Sequence, residues 1–204
     1  PRRGGPLRAA IGRAILRLTG WRIEGALPDR PKLVITAVPH SSNWDFIIGI
    51  AVVFALRLDI HFIGKAELFR GPLGALMRWL GGMPVDRHHP GGFVEQMVEA
   101  FAKHDRLLLA VAPEGTRKPV DRWKSGFYRI ALGAEVPIVP GYFDNGRKRV
   151  GFGAAVMPTG DAERDIAELR AFYGPIPRRD GRPTASVPEP ASQTYPASAE
   201  EHRS

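Results

Sequence analysis

His40-Ser41-Ser42-Asn43-Trp44-Asp45 sets an imidazole five positions ahead of a carboxylate. Two residues five apart on one helix point about 140° apart and cannot meet. With His40 in the loop before a helix and Asp45 in its first turn, they can. An imidazole oriented by a carboxylate is a general base able to take a proton from a hydroxyl. A plainer reading stays open: Ser42-x-x-Asp45 is also a capping-box spacing, and His40 can be a hydrogen-bonded loop histidine. A second segment, Ala112-Pro113-Glu114-Gly115-Thr116-Arg117-Lys118, follows an apolar run. In α/β sheets ligands bind beyond the carboxyl ends of strands. There Gly115 lets backbone N–H groups approach an anion, and Arg117 and Lys118 offer charge and donors suited to phosphate. The plainer reading is a polar turn with surface cations. Met83-Pro84-Val85-Asp86-Arg87 is another strand end with an arginine. Val136-Pro137-Ile138-Val139-Pro140 is a proline-bounded apolar strand, read most simply as an edge strand.

Several chemistries are excluded. The chain has no cysteine, hence no disulfide, Cys-based zinc site, Fe–S cluster or thiol nucleophile. It contains no G-x-S-x-G, H-E-x-x-H or Walker A pattern, and Gly151-Phe152-Gly153 lacks the third glycine of a dinucleotide fingerprint. Lys and Arg number 29 against 21 Asp and Glu, a formal charge of +8. Such a chain favours polyanions: nucleic acid, anionic lipid surfaces or phosphorylated small molecules. No nucleic-acid-binding motif accompanies the charge.

These groups need elements to position them. The 204 residues suffice for one domain with a sizeable core. Apolar periodicity predicts strands at 32–38, 60–63, 83–85, 107–112, 136–139 and 149–156. It predicts helices at 43–56, 71–81, 92–103, 125–134 and 161–173. Strands alternating with helices indicate an α/β sandwich with a mostly parallel sheet flanked by helices. The longest charge-free apolar run, Phe46–Leu56, would span about 16 Å as a helix, half of a bilayer core, and reads as a core helix. No signal-peptide pattern is visible.

Three regions are expected. Residues 1–22 form a basic amphipathic helix, with Leu7, Ile11, Ala14, Ile15, Leu18 and Trp21 in one arc and Arg8, Arg13 and Arg17 outside it. This suits a membrane interface, or equally a helix packed on the domain, although Gly12 and Gly20 weaken it. Residues 23–173 form the domain. Residues 174–204, with six prolines and almost no large apolar side chains, are expected to be a disordered tail.

Taken in order, the blocks resemble the glycerophospholipid acyltransferase family, of the lysophosphatidic acid acyltransferase type. That family carries H-x4-D, a Gly-rich stretch ending in Arg, E-G-T-R and V-P-I-V/I-P. They stand here as His40–Asp45, Gly64-Lys65 through Gly81 to Arg87, Glu114–Arg117 and Val136–Pro140. Trp123-Lys124-Ser125-Gly126 is similar to the family's F-K-x-G. The resemblance covers roughly residues 30 to 145. It implies a glycerol-3-phosphate acyltransferase-like sandwich and acyl transfer from acyl-CoA or acyl carrier protein to a hydroxyl of lysophosphatidic acid or a related glycerophospholipid. His40 would be the base and Asp45 its orienting partner. Arg117, with Arg87 and Lys65, would grip the acceptor phosphate beside Gly115 and Thr116. Glu114 would be a positioning or structural partner of these cations. The acyl chain would lie near Leu73–Leu80. No metal or organic cofactor is expected, nor a nucleic-acid partner. The protein would sit peripherally on the cytoplasmic side of a membrane with an anionic surface. The alternatives are a different lysolipid or amino-acid lipid acceptor and, in another class, a non-enzymatic basic polyanion- or membrane-binding protein.

Overall fold

The structure is a computed structural model that describes residues 3–64, 66–85, 92–116, 118, 120, 122–178, 180–182 and 184. Its centre is β2 (Lys32–Val38), where side chains alternate between two faces. Leu33 and Ile35 point to one side and Val34 and Val38 to the other, all buried. Burying each such side chain contributes about 1.5–3 kcal/mol. Strand β2 pairs with β5 (Leu107–Val111) and β6 (Ile138–Asp144). The sheet continues through β3 (Ile60–Gly64) and β4 (Gly82–Pro84) on one side. On the other lie β7 (Arg149–Phe152) and β1 (Arg22–Glu24). The order is β1-β7-β6-β2-β5-β3-β4, and only β6–β7 is antiparallel. The mostly parallel α/β sandwich expected from the periodicity is what forms.

Helices α4 (Gly92–Lys103), α5 (Gly126–Gly133) and α6 (Ala162–Tyr173) cover one face through Met97, Phe101, Phe127, Ile130 and Tyr173. On the other, α2 (Asn43–Ala55) buries Ile48, Ala51 and Val52 with Phe143 and Val150. The apolar run 46–56 is therefore a core helix. Helix α1 (Pro6–Thr19) packs on α2 and ends at Gly20, in the left-handed region at φ 77°. A Cβ at Gly12 would lie 2.4 Å from the Ala51 carbonyl oxygen. The glycine that weakens the helix locally is thus what lets the two backbones approach. Helix α3 (Gly71–Trp79) follows a 3₁₀ turn at Ala66–Phe69 and buries little besides Gly74.

Four details differ from the periodicity reading. The buried face of α1 is Ala9, Gly12 and Leu16, outside the expected arc, while Leu7, Ile11, Ala14 and Leu18 of the arc face out. Ile15 and Trp21 join the core margin. Strand β1 was not foreseen, being three residues without alternating hydrophobicity. Strand β6 is interior, not an edge. Its Pro140 falls where the register with the neighbouring chain shifts by one residue, between Ile138↔Val156 and Gly141↔Phe152. Finally, within the expected tail, Arg178 and Thr184 are buried. Pairing of charge, not apolar area, orders Arg178, and composition does not register that.

Candidate active site

Strands β2, β5, β3 and β4 are consecutive parallel neighbours, so their carboxyl ends lie along one edge. His40 follows β2 by two residues and Glu114 follows β5 by three. Gly64 and Pro84 close β3 and β4 at the same edge. Lys65, Arg87 and Arg117 lie outside the described residues.

The peptide bond Val38–Pro39 is cis, and half-buried His40 comes next. Three successive backbone N–H groups then donate to two buried carboxylates. His40 N–H donates to Glu114 Oε2 (2.6 Å), and Ser41 and Ser42 N–H donate to Asp45 Oδ2 (2.5 and 2.7 Å). The Ser41 hydroxyl also reaches Oδ2, at 3.1 Å. Ser42 Oγ accepts from Trp44 N–H, so the capping box forms and starts α2. It occupies one oxygen of Asp45. The other, Oδ1, is buried with no hydrogen-bond partner among the described residues. Leaving a buried acceptor unmet costs about 1–3 kcal/mol.

Glu114 and Arg178 form an ion pair whose side chains are 0% and 1% exposed. Burial pushes the Glu114 carboxyl up from its ordinary value, and the His40 N–H and the Arg178 charge work against that. Sequence reasoning gave Glu114 a cationic partner but missed Arg178, which lies 64 positions away. Its arrival is set by α6. The Tyr173 hydroxyl bonds Thr36 Oγ1 (2.7 Å) and contacts the carbonyls of Thr36 and Gly141 (both 3.2 Å), fixing the helix end against β2 and β6.

Gly115 adopts φ 63°, and its N–H is taken by the Ala112 carbonyl at 3.1 Å. What it supplies is room. The room is filled by Lys124: a Cβ at Gly115 would lie 2.8 Å from Lys124 Cε and 3.0 Å from Nζ. The Lys124 N–H donates to the Pro113 carbonyl (2.9 Å), while Trp123 stacks edge-on with Phe127 and Tyr173. An exposed cation therefore rests on the Glu114–Thr116 turn; its signal in the sequence was the Trp123–Gly126 stretch. Thr116 is exposed, with its hydroxyl oxygen accepting from Lys118 N–H (3.3 Å). Among the described residues, no group of three or more His, Asp or Glu could hold a metal ion. No described helix is long and apolar enough to cross a membrane.

Comparison with known proteins bears on the family and the fold. The chain is 29% identical over 110 residues to a 1-acyl-sn-glycerol-3-phosphate acyltransferase of Bacillus subtilis, covering 52% of this chain and 53% of that one. It is 30% identical over 119 residues to a probable enzyme of the same name from Mycoplasma pneumoniae, covering 53% and 43%. The matches thus span about half the length of these relatives or less. The fold resembles the crystal structure of the 1-acyl-sn-glycerophosphate acyltransferase PlsC from Thermotoga maritima. The TM-score is 0.54 at 22% identity, over 81% of this chain and 79% of that one. The family model described as Acyltransferase matches residues 22–144, more than half of the sequence, and the chain belongs to the acyltransferase family.

Proposed function

We propose that this protein moves a fatty acyl group from a thioester, acyl-CoA or acyl carrier protein, to a hydroxyl of lysophosphatidic acid or a related glycerophospholipid. The observation that carries the reading is Asp45 Oδ1, a buried acceptor without a partner at the loop that bears His40. A ring N–H of His40 donating to it would fix the tautomer and leave the other nitrogen as the base. His40 takes the acceptor proton as the oxygen attacks the thioester carbonyl. The tetrahedral intermediate collapses, the C–S bond breaks, and His40 returns the proton to the leaving thiolate. No acyl-enzyme is required. Arg117, Arg87 and Lys65 are assigned to the acceptor phosphate, and so is Lys124, which rests on the Gly115 turn.

The acceptor resides in a bilayer, so the protein must dock there. The outward stripe Leu7, Ile11 and Leu18 of α1 and the exposed Leu73, Leu76 and Trp79 of α3 are the docking face. Exposed Arg13 and Arg17 complement anionic headgroups on the cytoplasmic side.

The test is an acyltransferase assay with both donors against a panel of lysolipids, run on wild type and His40→Ala. Transfer by wild type to a phosphate-bearing lysolipid, lost in a folded His40→Ala, is expected. Absence of transfer with every pair, or full activity in the variant, refutes the reading.

A further inference from the structure

We propose that Arg178 is a positioning residue for acyl transfer, holding the Glu114 carboxylate on the backbone N–H of His40. The inference rests on His40 as the base. Strands β2 and β5 pair as far as Thr36 and Val111, and their chains then part, one into α2 and the other towards α5. Among the described hydrogen bonds, Glu114 Oε2 to His40 N–H is the one that ties these two loops. A carboxylate with no exposed surface is costly to keep charged, and a cation beside it offsets that cost. Arg178 is that cation, and at 1% side-chain exposure it is too enclosed to bind substrate itself. Asp45 accepts from the next two amides. The backbone at His40 is thus held by two carboxylates, and Arg178 is what makes one of them stable there. Tyr173, bonded to β2 and β6, delivers the chain to this point.

The experiment compares Arg178→Lys and Arg178→Met with wild type in steady-state kinetics, with His40→Ala in parallel. Displacing a catalytic group by about 1 Å costs roughly 100-fold, so Arg178→Met should lose about that in kcat with both KM values little changed. Arg178→Lys, which keeps the charge, should recover part of the loss. A folded Arg178→Met with wild-type kcat overturns the inference, as does a defect confined to acceptor KM. If His40→Ala is inactive and Arg178→Met is not, the inference alone fails; an active His40→Ala removes the base itself. Should the arginine variants not fold, NMR of the wild type decides. A His40 amide protected from exchange and a slowly exchanging Arg178 guanidinium are expected. Fast exchange at both overturns the proposal.

Discussion

The guanidinium of Arg8 lies over the indole of Trp79, its central carbon 3.9 Å from the ring centroid. Phe54 of α2 meets the same indole edge-on at 5.9 Å. The contact joins α1 to α3 and makes neighbours of the two apolar segments proposed as the docking face. Replacing Leu7 and Leu18 together by Ser should weaken sedimentation with anionic vesicles without lowering the melting temperature, because both are exposed (73% and 86%). Wild-type binding should fall as salt rises, since each basic residue at the surface contributes about 1 kcal/mol that salt screens. Unaltered binding by the double variant would remove α1 from the docking face. Deleting α1 outright is a poorer test, because Leu16 and Ala9 cover α2.

Asp45 caps α2 and, on the proposed mechanism, orients His40, and substitution separates the two. Asn retains an oxygen for the Ser41 and Ser42 amides, so Asp45→Asn should leave stability nearly unchanged. It should nevertheless lower kcat by about 10²–10⁴-fold, the range of general-base catalysis, by failing to orient the imidazole as a carboxylate does. Asp45→Ala should lose about 1 kcal/mol of stability as well, through the cap. Thermal melts beside turnover measurements check both. Wild-type kcat in Asp45→Asn would reduce this residue to a helix cap.

The Gly115 turn, proposed to face the acceptor phosphate, makes its own prediction. Gly115→Ala forces a side chain into the left-handed region and into the space of Lys124. It should raise the acceptor KM while the donor KM stays put. Lys124→Ala should do the same in milder form, and Arg117→Lys likewise if its contact is bidentate. Equal effects on donor and acceptor would place this turn elsewhere in the reaction.

Far from the site, Asp165 accepts hydrogen bonds from the Tyr128 hydroxyl (2.8 Å), the Thr159 N–H (2.7 Å) and the Thr159 hydroxyl. Burial pushes its carboxyl up, but these donors outweigh burial and hold it below the ordinary value. A folded-state pKa below the unfolded one adds stability above the unfolded value, and that stability is lost as pH falls through the folded one. The melting temperature should therefore drop as pH is taken below about 4, and Asp165→Asn should flatten that drop. Parallel slopes for the two proteins would show that other carboxylates govern acid unfolding. Tyr128→Phe should cost about 1.5–3 kcal/mol at neutral pH, as expected for a hydrogen bond to a charged group.

The α/β architecture was legible because β2, β5 and the helices around them follow the periods of 2 and 3.6 that burial on one face imposes. The order of the blocks was legible for a related reason: parallel strands send their carboxyl ends to one edge. What stayed hidden was set by long-range pairing. Arg178 sits in a proline-rich stretch with scarcely a large apolar side chain, and nothing local marks it as buried. The burial of Gly12 depends on where α2 passes, and the interior place of Pro140 on a register shift in its neighbour. Lys124 was visible only as part of a motif, because its position over Gly115 depends on that residue's positive φ.

The 74 positions from His40 to Glu114 and the 64 from Glu114 to Arg178 also fix an order in time. A ribosome releases the base first, its strap next and the counter-charge last. From Pro140 until Arg178 the emerging chain carries every one of the four family blocks, while the carboxylate that should steady His40 has no cation to hold it in place. On the proposed arrangement, a nascent or nicked polypeptide ending before Arg178 works about 100-fold more slowly at best, although nothing in its motifs is missing. Full competence for acyl transfer then reports that synthesis has passed Arg178.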